Sequence, residues 1–502
     1  MIRSDERGVA LIITLFMVLI LSVLGSALAF VSRTETLSSL NYKTMSQARY
    51  GAESGIHRAA NYLLWSYTPP NNPLEMVLYD TTVTPVRLLA NNSPVVLDSD
   101  VNAANYPDVV QRNAFANAFN APLVVNNGTV TYRARATLLA MRQIDDPFSP
   151  GTQITLQTWQ VTGGAVLSGA GAADVEVSAV IERQAVPIFK YAAFATDPGC
   201  DALRFGGGAT TNSFDSSMYG GAGLPGIDAW GGNVGTNGNM NEIGATTAIH
   251  GSLSTPRTGV GGCNGGNGGA VPALTVSGGA TVDDGLVQLP QAVPFPTPPL
   301  PNPLPPTGNW SFNGACHAMT VLYCSNLGGG TIQMDPSLNL LSPGTVVLAD
   351  MRLGAGTTLK LKAGVYIVNS LSFNGGATLE IDVDPADPTQ QVIFQVAGQN
   401  SNTPIDFTGG AIANPTYDPS RFQMFYAGTK NVKLTGGASS AALIYAPNAS
   451  TSFSGGGTFY GAVVAGKVTD MGGATINYDR NLETEALTAG NWTLGSFSWS
   501  SF

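Results

Sequence analysis

Charge is scarce in this chain. Asp, Glu, Lys and Arg make up 11% of its 502 residues, against about a quarter in an ordinary soluble domain. A net charge of −10 argues against nucleic acid as a partner, since binding it needs a basic face. Histidine is rarer still, with His57, His250 and His317 alone, and no GxSxG, HExxH or CxxC occurs. Those absences remove the nucleophile elbow, the zinc-protease helix and the common zinc knuckle. No catalytic residue is assigned and no enzyme is expected. The nearest thing to a cation site is Asp382, Asp384 and Asp387 in DVDPADP. Two of these precede proline and the EF-hand spacing and glycine are missing, so a solvated turn is favoured and Ca²⁺ is the only cofactor considered.

Cysteine is sparse too. Cys200, Cys263, Cys316 and Cys324 are all there are, an even number that suits disulfides in an exported chain. Cys316 and Cys324 would close a short loop, which leaves Cys200 with Cys263. A metal site using His317 is the rival, without the spacing that metal sites usually show.

What the chain does have is a long apolar run at its start. After the charged leader MIRSDERG, no ionisable side chain occurs from Val9 to Ser32. A secretory signal peptide has a shorter core and ends at a small-residue cleavage site, whereas about 20 residues suffice to cross a bilayer. The run continues into an amphipathic segment with apolar residues at Leu37, Leu40, Met45, Ala48, Ala52, Ile56, Ala59 and Leu63, one helical stripe that Pro69-Pro70 terminates. Gly51 and Gly55 permit close helix approach. Glu53 beside them is either a subunit contact or, the favoured reading, part of a solvated face.

Arg7-Gly8, the Ala10–Ile12 triplet, Leu24-Gly25 and Ala52–Ile56 occur in the order found in type IV prepilins. Over roughly residues 1–65 the chain resembles the PilX-type minor pilins and the similar minor pseudopilin of type II secretion. The resemblance implies cleavage by a prepilin peptidase after Gly8, leaving Val9 as the mature N-terminus. It also implies a helix anchored in bacterial inner-membrane lipid with its N-terminus cytoplasmic, and other minor and major pilins as partners. Major pilins carry a glutamate at the fifth mature position. Here that position is Ile13, which resembles minor subunits at a filament tip.

Composition shifts at about residue 196, since ten of the 60 glycines precede it. Before it, Val130, Tyr132, Ala134, Ala136 and Leu138 alternate with polar residues, as do Val175, Val177, Ala179 and Ile181. They read as strands of a small antiparallel sheet, with Gly163-Gly164 as a turn between. After it, a unit of apolar residue, any residue, Gly-Gly and Ala or Gly begins at Phe205, Val276, Phe373, Phe407, Leu434, Phe453 and Met471, with a variant at Leu353. Steps of about 20 residues with short strands favour a right-handed parallel β-helix over a β-sandwich. Asparagines in Gly231–Leu253 are expected to take left-handed corners.

The expected fold is therefore multidomain and mainly β. The leader is 1–8, the membrane and amphipathic helix 9–67, a pilin-like α+β domain 68–195, a glycine-rich β-helix 196–485 and an aromatic tail 486–502. The nine prolines of Leu289–Pro306 form an extended strap whose Phe295, Leu300 and Leu304 pack along the body. The tail docks on the first domain or caps the second. The expected function is that of a minor pilin in assembly and tip display, with a surface or glycan ligand suggested by exposed polar and tyrosine residues. The alternative is a membrane-anchored β-helix that binds or cleaves polysaccharide.

Overall fold

The structure, a computed structural model, describes residues 6–501 except 71, 120–122, 126–127, 149–151, 169–172, 222, 266–268, 436–439 and 486. Two compact units are present. One comprises 1–145, 152–185 and 489–502; the other comprises 146–151 and 186–488. The second unit is thus an insertion in the chain of the first.

The first unit is built on helix α1, Glu6–Trp65, 60 residues and about 90 Å long. The helix changes character along its length. From Val9 to Val31 its large apolar side chains are all exposed, while Ala48, Ala52, Ile56, Ala59 and Leu63 are buried. These pack on Val130, Ala134, Val161, Ala165 and neighbours, which lie on an antiparallel pair, Gly128–Asp145 and Gln153–Ser168. Ala173–Pro187 adds to the other side of Gln153–Ser168. The short strands Val96–Asp98 and Leu123–Val125 pair with Gly128–Asp145.

Gly163-Gly164 is not a turn. Both residues sit inside the strand Gln153–Ser168, paired with Ala134 and Arg133. Their role is volume: a Cβ on Gly163 would collide with the Ala52 carbonyl of α1, and one on Gly55 would lie 2.7 Å from the Arg133 carbonyl oxygen. Helix and sheet meet backbone to backbone, and only glycine leaves room. The sixth strand of this sheet is Leu487–Ser501, beside Ala173–Pro187. The aromatic tail therefore completes the first unit's sheet, although its aromatic side chains lie outside the described residues.

The second unit is a long parallel ladder. In spatial order its strands are Thr345–Leu353, Gly364–Phe373, Val392–Val396, Phe422–Tyr426, Ser440–Ser454, Thr458–Asp470, Ala193–Ala195, Val234–Thr236, Leu253–Thr255 and Leu286–Gln288. The chain enters this ladder in the middle, runs to one end at Gln288, and resumes at the other end with Asn309–Phe312 against Thr345–Leu353. It then builds back until Val463–Ala465 closes on Ala193–Ala195. That closure is a seam between strands some 270 residues apart in sequence.

The proline segment spans the interval from end to end. Asn237 exchanges two hydrogen bonds with the backbone of Val293, 2.8 and 3.0 Å. Phe295 packs against Phe194 with centroids 4.6 Å apart and the rings tilted by 48°. Tyr445 donates to the Pro296 carbonyl at 2.6 Å, and Gln399 to the Pro305 carbonyl at 2.9 Å. Those partners follow the order of the ladder strands, so the segment crosses it strand by strand. Its anchors are Phe295 and the buried Pro298, Pro301 and Pro305, whereas Leu300 and Leu304 are exposed. The asparagines of Gly231–Leu253 do not take left-handed corners; that conformation falls to Gly231 and Gly244. Their side chains bridge neighbouring turns instead, as Asn239 does to the Pro272 carbonyl at 3.0 Å.

Register aligns the glycine repeat into one column. Phe453 pairs with Asp470, Asp470 with Phe205, Phe205 with Glu242 and Glu242 with Val276. The last copy of the repeat accordingly begins at Asp470, not Met471, which is exposed. A copy without a Gly-Gly pair begins at Glu242.

Candidate functional site

The first candidate site is the surface of α1. The segment is long and apolar enough to cross a membrane, and its apolar window has no part buried. Val9 and Ile13 lie on this exposed stretch, 60% and 56% accessible. Gly8 lies within the helix, while residues 1–5 of the leader are outside the described residues. Glu53 is half-buried and ion-paired to Arg49 at 2.9 Å, one helical turn away. Gly51 and Gly55 approach the unit's own sheet, where a Cβ at Gly51 would lie 2.8 Å from Ala165 Cβ.

The cysteines form two disulfides, Cys200–Cys263 and Cys316–Cys324. His317 stacks on Trp310, with centroids 5.0 Å apart, and its Nδ1 accepts from Met319 N–H at 3.3 Å.

Asp382, Asp384 and Asp387 are not brought together around an open site. Asp382 pairs with Lys362 at 3.1 Å and accepts from Gln333 at 2.6 Å. Asp384 and Asp387 each cap their own turn, through Ala386 N–H and Thr389 N–H. The hydrogen bonds from Thr389 hold the Asp387 carboxyl below its ordinary range. The loop does hold a cation, and it is the Arg421 guanidinium. That buried side chain donates to the carbonyls of Asp387, Gln390 and Pro385, and Asp418 neutralises it at 3.0 Å. Among the described residues, no group of three or more His, Cys, Asp or Glu is placed to hold a metal.

The second candidate site was hidden in the repeat. Glu242 and Asp470 occupy column positions filled elsewhere by Phe or Val, and both are fully buried. Neither Glu242 oxygen has a hydrogen-bond partner, and Asp470 Oδ2 has none. Burial, with Asp283 nearby, pushes the Glu242 carboxyl up to about 8. Burial raises Asp470 to about 6, against the N–H groups of Ala474 and Gly472 that favour its charged form. Asp479, also buried at the seam, is raised to about 6 by burial while accepting from the N–H groups of Ser216 and Asn481. Sequence reading missed Glu242 because its copy lacks Gly-Gly, and missed Asp470 by a one-residue register error. His250 meets Asp283 at 2.7 Å. The nearby Glu242 is sealed from any substrate, so the three do not form an accessible acid–base set.

Comparison with known families fits the helix. Residues 7–57 match the family described as PilX N-terminal, and residues 341–485 match a domain of unknown function, DUF7305. No curated protein matches the chain. Among solved structures, the crystal structure of competence-associated pilin ComZ from Thermus thermophilus aligns over 91% of this chain and 98% of that one. Its identity is 13% and its TM-score 0.26, too low to carry an argument about fold. The apolar helix and the N-terminal family match make this a membrane-anchored, type IV pilin-like protein. More specifically, its N-terminus is of PilX type.

Proposed function

We propose that the chain is a PilX-like minor pilin of a type IV pilus or related filament, active in assembly and tip display and catalysing nothing. The supporting observation is a 60-residue helix whose stretch from Val9 to Ser32 is exposed and free of charge and whose residues 7–57 match the PilX N-terminal family. A prepilin peptidase cuts between Gly8 and Val9. The mature helix sits in the inner membrane with its N-terminus cytoplasmic, then packs among major and minor pilins. Ile13, an apolar residue at the fifth mature position, needs no charged neighbour in hydrocarbon. The first unit acts as the pilin-like α+β domain. The parallel ladder acts as a β-solenoid head, of the size that a filament end accommodates, and displays a surface for adhesion, with glycan as one ligand class. The polysaccharide reading is less well supported, since Asp382, Asp384 and Asp387 are taken up by Lys362 and their own turns, and His250 and Asp283 lie beside an inaccessible Glu242. Deletion of the gene tests the reading. Pilus number or adhesion changes if it is right, and both stay at wild-type level if the chain is a membrane-anchored polysaccharide-binding protein.

A further inference from the structure

The parallel body has an apolar tip. At the end where Asn309–Phe312 pairs with Thr345–Leu353, the strand Cys324–Gly328 folds antiparallel onto Thr331–Met334 and parallel stacking stops. Two loops of this last turn meet where Asp335 N–H donates to the Tyr323 carbonyl at 2.8 Å. One carries Met319, Val321 and Leu322, the other Leu338, Leu340 and Leu341, all exposed. Leu340 and Leu341 leave 90% and 92% of their surface in solvent. Single exposed aliphatic residues are ordinary, but six on two touching loops with adjacent leucines at the apex make a patch.

Two features say what covers it. The two loops are nearly free of charge: no Lys or Arg occurs from residue 258 to 351, and between His317 and Thr345 the one carboxylate is Asp335. Lys360 on the adjoining strand and Lys362 just beyond it are paired with Glu380 and Asp382. Asp335 is half-buried and accepts from Ser337 N–H at 2.9 Å and from its hydroxyl at 2.5 Å. The loops also satisfy much of their own backbone. Asn339 donates to the Thr345 carbonyl at 2.6 Å and accepts from Leu341 N–H at 3.3 Å, and Gly344 N–H donates to the Pro336 carbonyl at 3.0 Å. In the other loop Thr320 N–H donates to the His317 carbonyl at 2.8 Å, and Cys316–Cys324 staples its ends. In water, solvent would serve these groups. In hydrocarbon such groups must be satisfied internally, and these bonds do so for much of both loops.

We propose that this tip inserts into the acyl-chain region of a lipid bilayer, led by Leu340 and Leu341. With no cation in the two loops and the nearest lysines ion-paired, insertion does not depend on anionic lipid. The test uses the full chain held by α1 in nanodiscs. All four cysteines are in disulfides, so an environment-sensitive dye on Leu341→Cys reports the tip alone. Phosphatidylcholine vesicles are added, with nitroxide-labelled phosphatidylcholine in discs and vesicles alike. The dye shifts blue and is quenched, equally with and without phosphatidylserine. The same dye on Asp284→Cys, towards the opposite end of the ladder, does neither. The double variant Leu340→Ser/Leu341→Ser lowers vesicle co-flotation at least tenfold with its thermal unfolding unchanged. A dye at residue 341 that stays in water with vesicles present overturns the proposal. So does a double variant that floats like wild type, or a blue shift that needs a protein partner.

Discussion

The two units use glycine for opposite purposes. In the first, Gly51, Gly55 and Gly163 vacate volume so that α1 can lie against the sheet backbone. In the second, Gly207, Gly278 and Gly455 hold φ of 66°, 72° and 81°, two residues after a column position. There they turn the chain at corners that a side chain would strain. The first unit is therefore sensitive to bulk at a few positions, and the second to backbone angle at many. The second also places equivalent residues directly over one another, so a single polar residue in a column meets apolar neighbours above and below.

Replacing one glycine of each kind sharpens the contrast. Gly163→Val should destabilise the first unit by about 4 kcal/mol, the upper range for overpacking where backbone lies in the way. Gly207→Ala should cost about 1–2 kcal/mol, the left-handed penalty, although the nearby Met471 carbonyl oxygen at 2.6 Å will add to it. Hydrogen exchange read peptide by peptide separates them: faster exchange at 48–63 and 153–168 for the first, at 203–214 and 468–479 for the second. Exchange that rises equally across the chain in both variants would show that the units are not independent.

The disulfides test the second unit from within. Cys200–Cys263 closes 63 residues and Cys316–Cys324 eight. On chain entropy their removal costs about 4 and about 2.5 kcal/mol. Cys200→Ser/Cys263→Ser should therefore lower the thermal midpoint more than Cys316→Ser/Cys324→Ser; the reverse order would place the strain elsewhere.

The buried acids give the smallest effect and the clearest sign. Both Glu242 and Asp470 bind protons more tightly folded than unfolded. Their contribution to stability is thus complete below the unfolded values near 4 and is lost as pH rises through about 6 for Asp470 and about 8 for Glu242. The body should unfold at lower denaturant at pH 9 than at pH 5. Glu242→Gln should recover about 2 kcal/mol at pH 9 and nothing at pH 4. A variant with no greater stability than wild type at pH 9 would mean that the carboxylate finds solvent.

How much of this was legible depends on range. Local pattern carried the helix, because Ala48, Ala52, Ile56, Ala59 and Leu63 recur at helical spacing. It also carried the strands around Val130 and Val175, which alternate. It failed at Gly163-Gly164, where a glycine pair means turn in isolation and clearance once α1 lies over it. The seam was invisible because the pairing of Val463 with Ala193 leaves no trace within a short window. Glu242 was invisible for a related reason: a column is defined by register across distant strands, and a repeat found through Gly-Gly cannot show a copy that lacks it. The proline segment was readable as a strap and Phe295 as one of its anchors, but the other anchors were not, since proline rings rather than Leu300 and Leu304 face the body.

The proposed function turns on α1 being a prepilin-type helix. Mass spectrometry of the mature protein, purified from cells with an active prepilin peptidase, tests it most directly. The N-terminal peptide is expected to begin at Val9. Recovery of the chain with the leader still attached through Gly8 would contradict it.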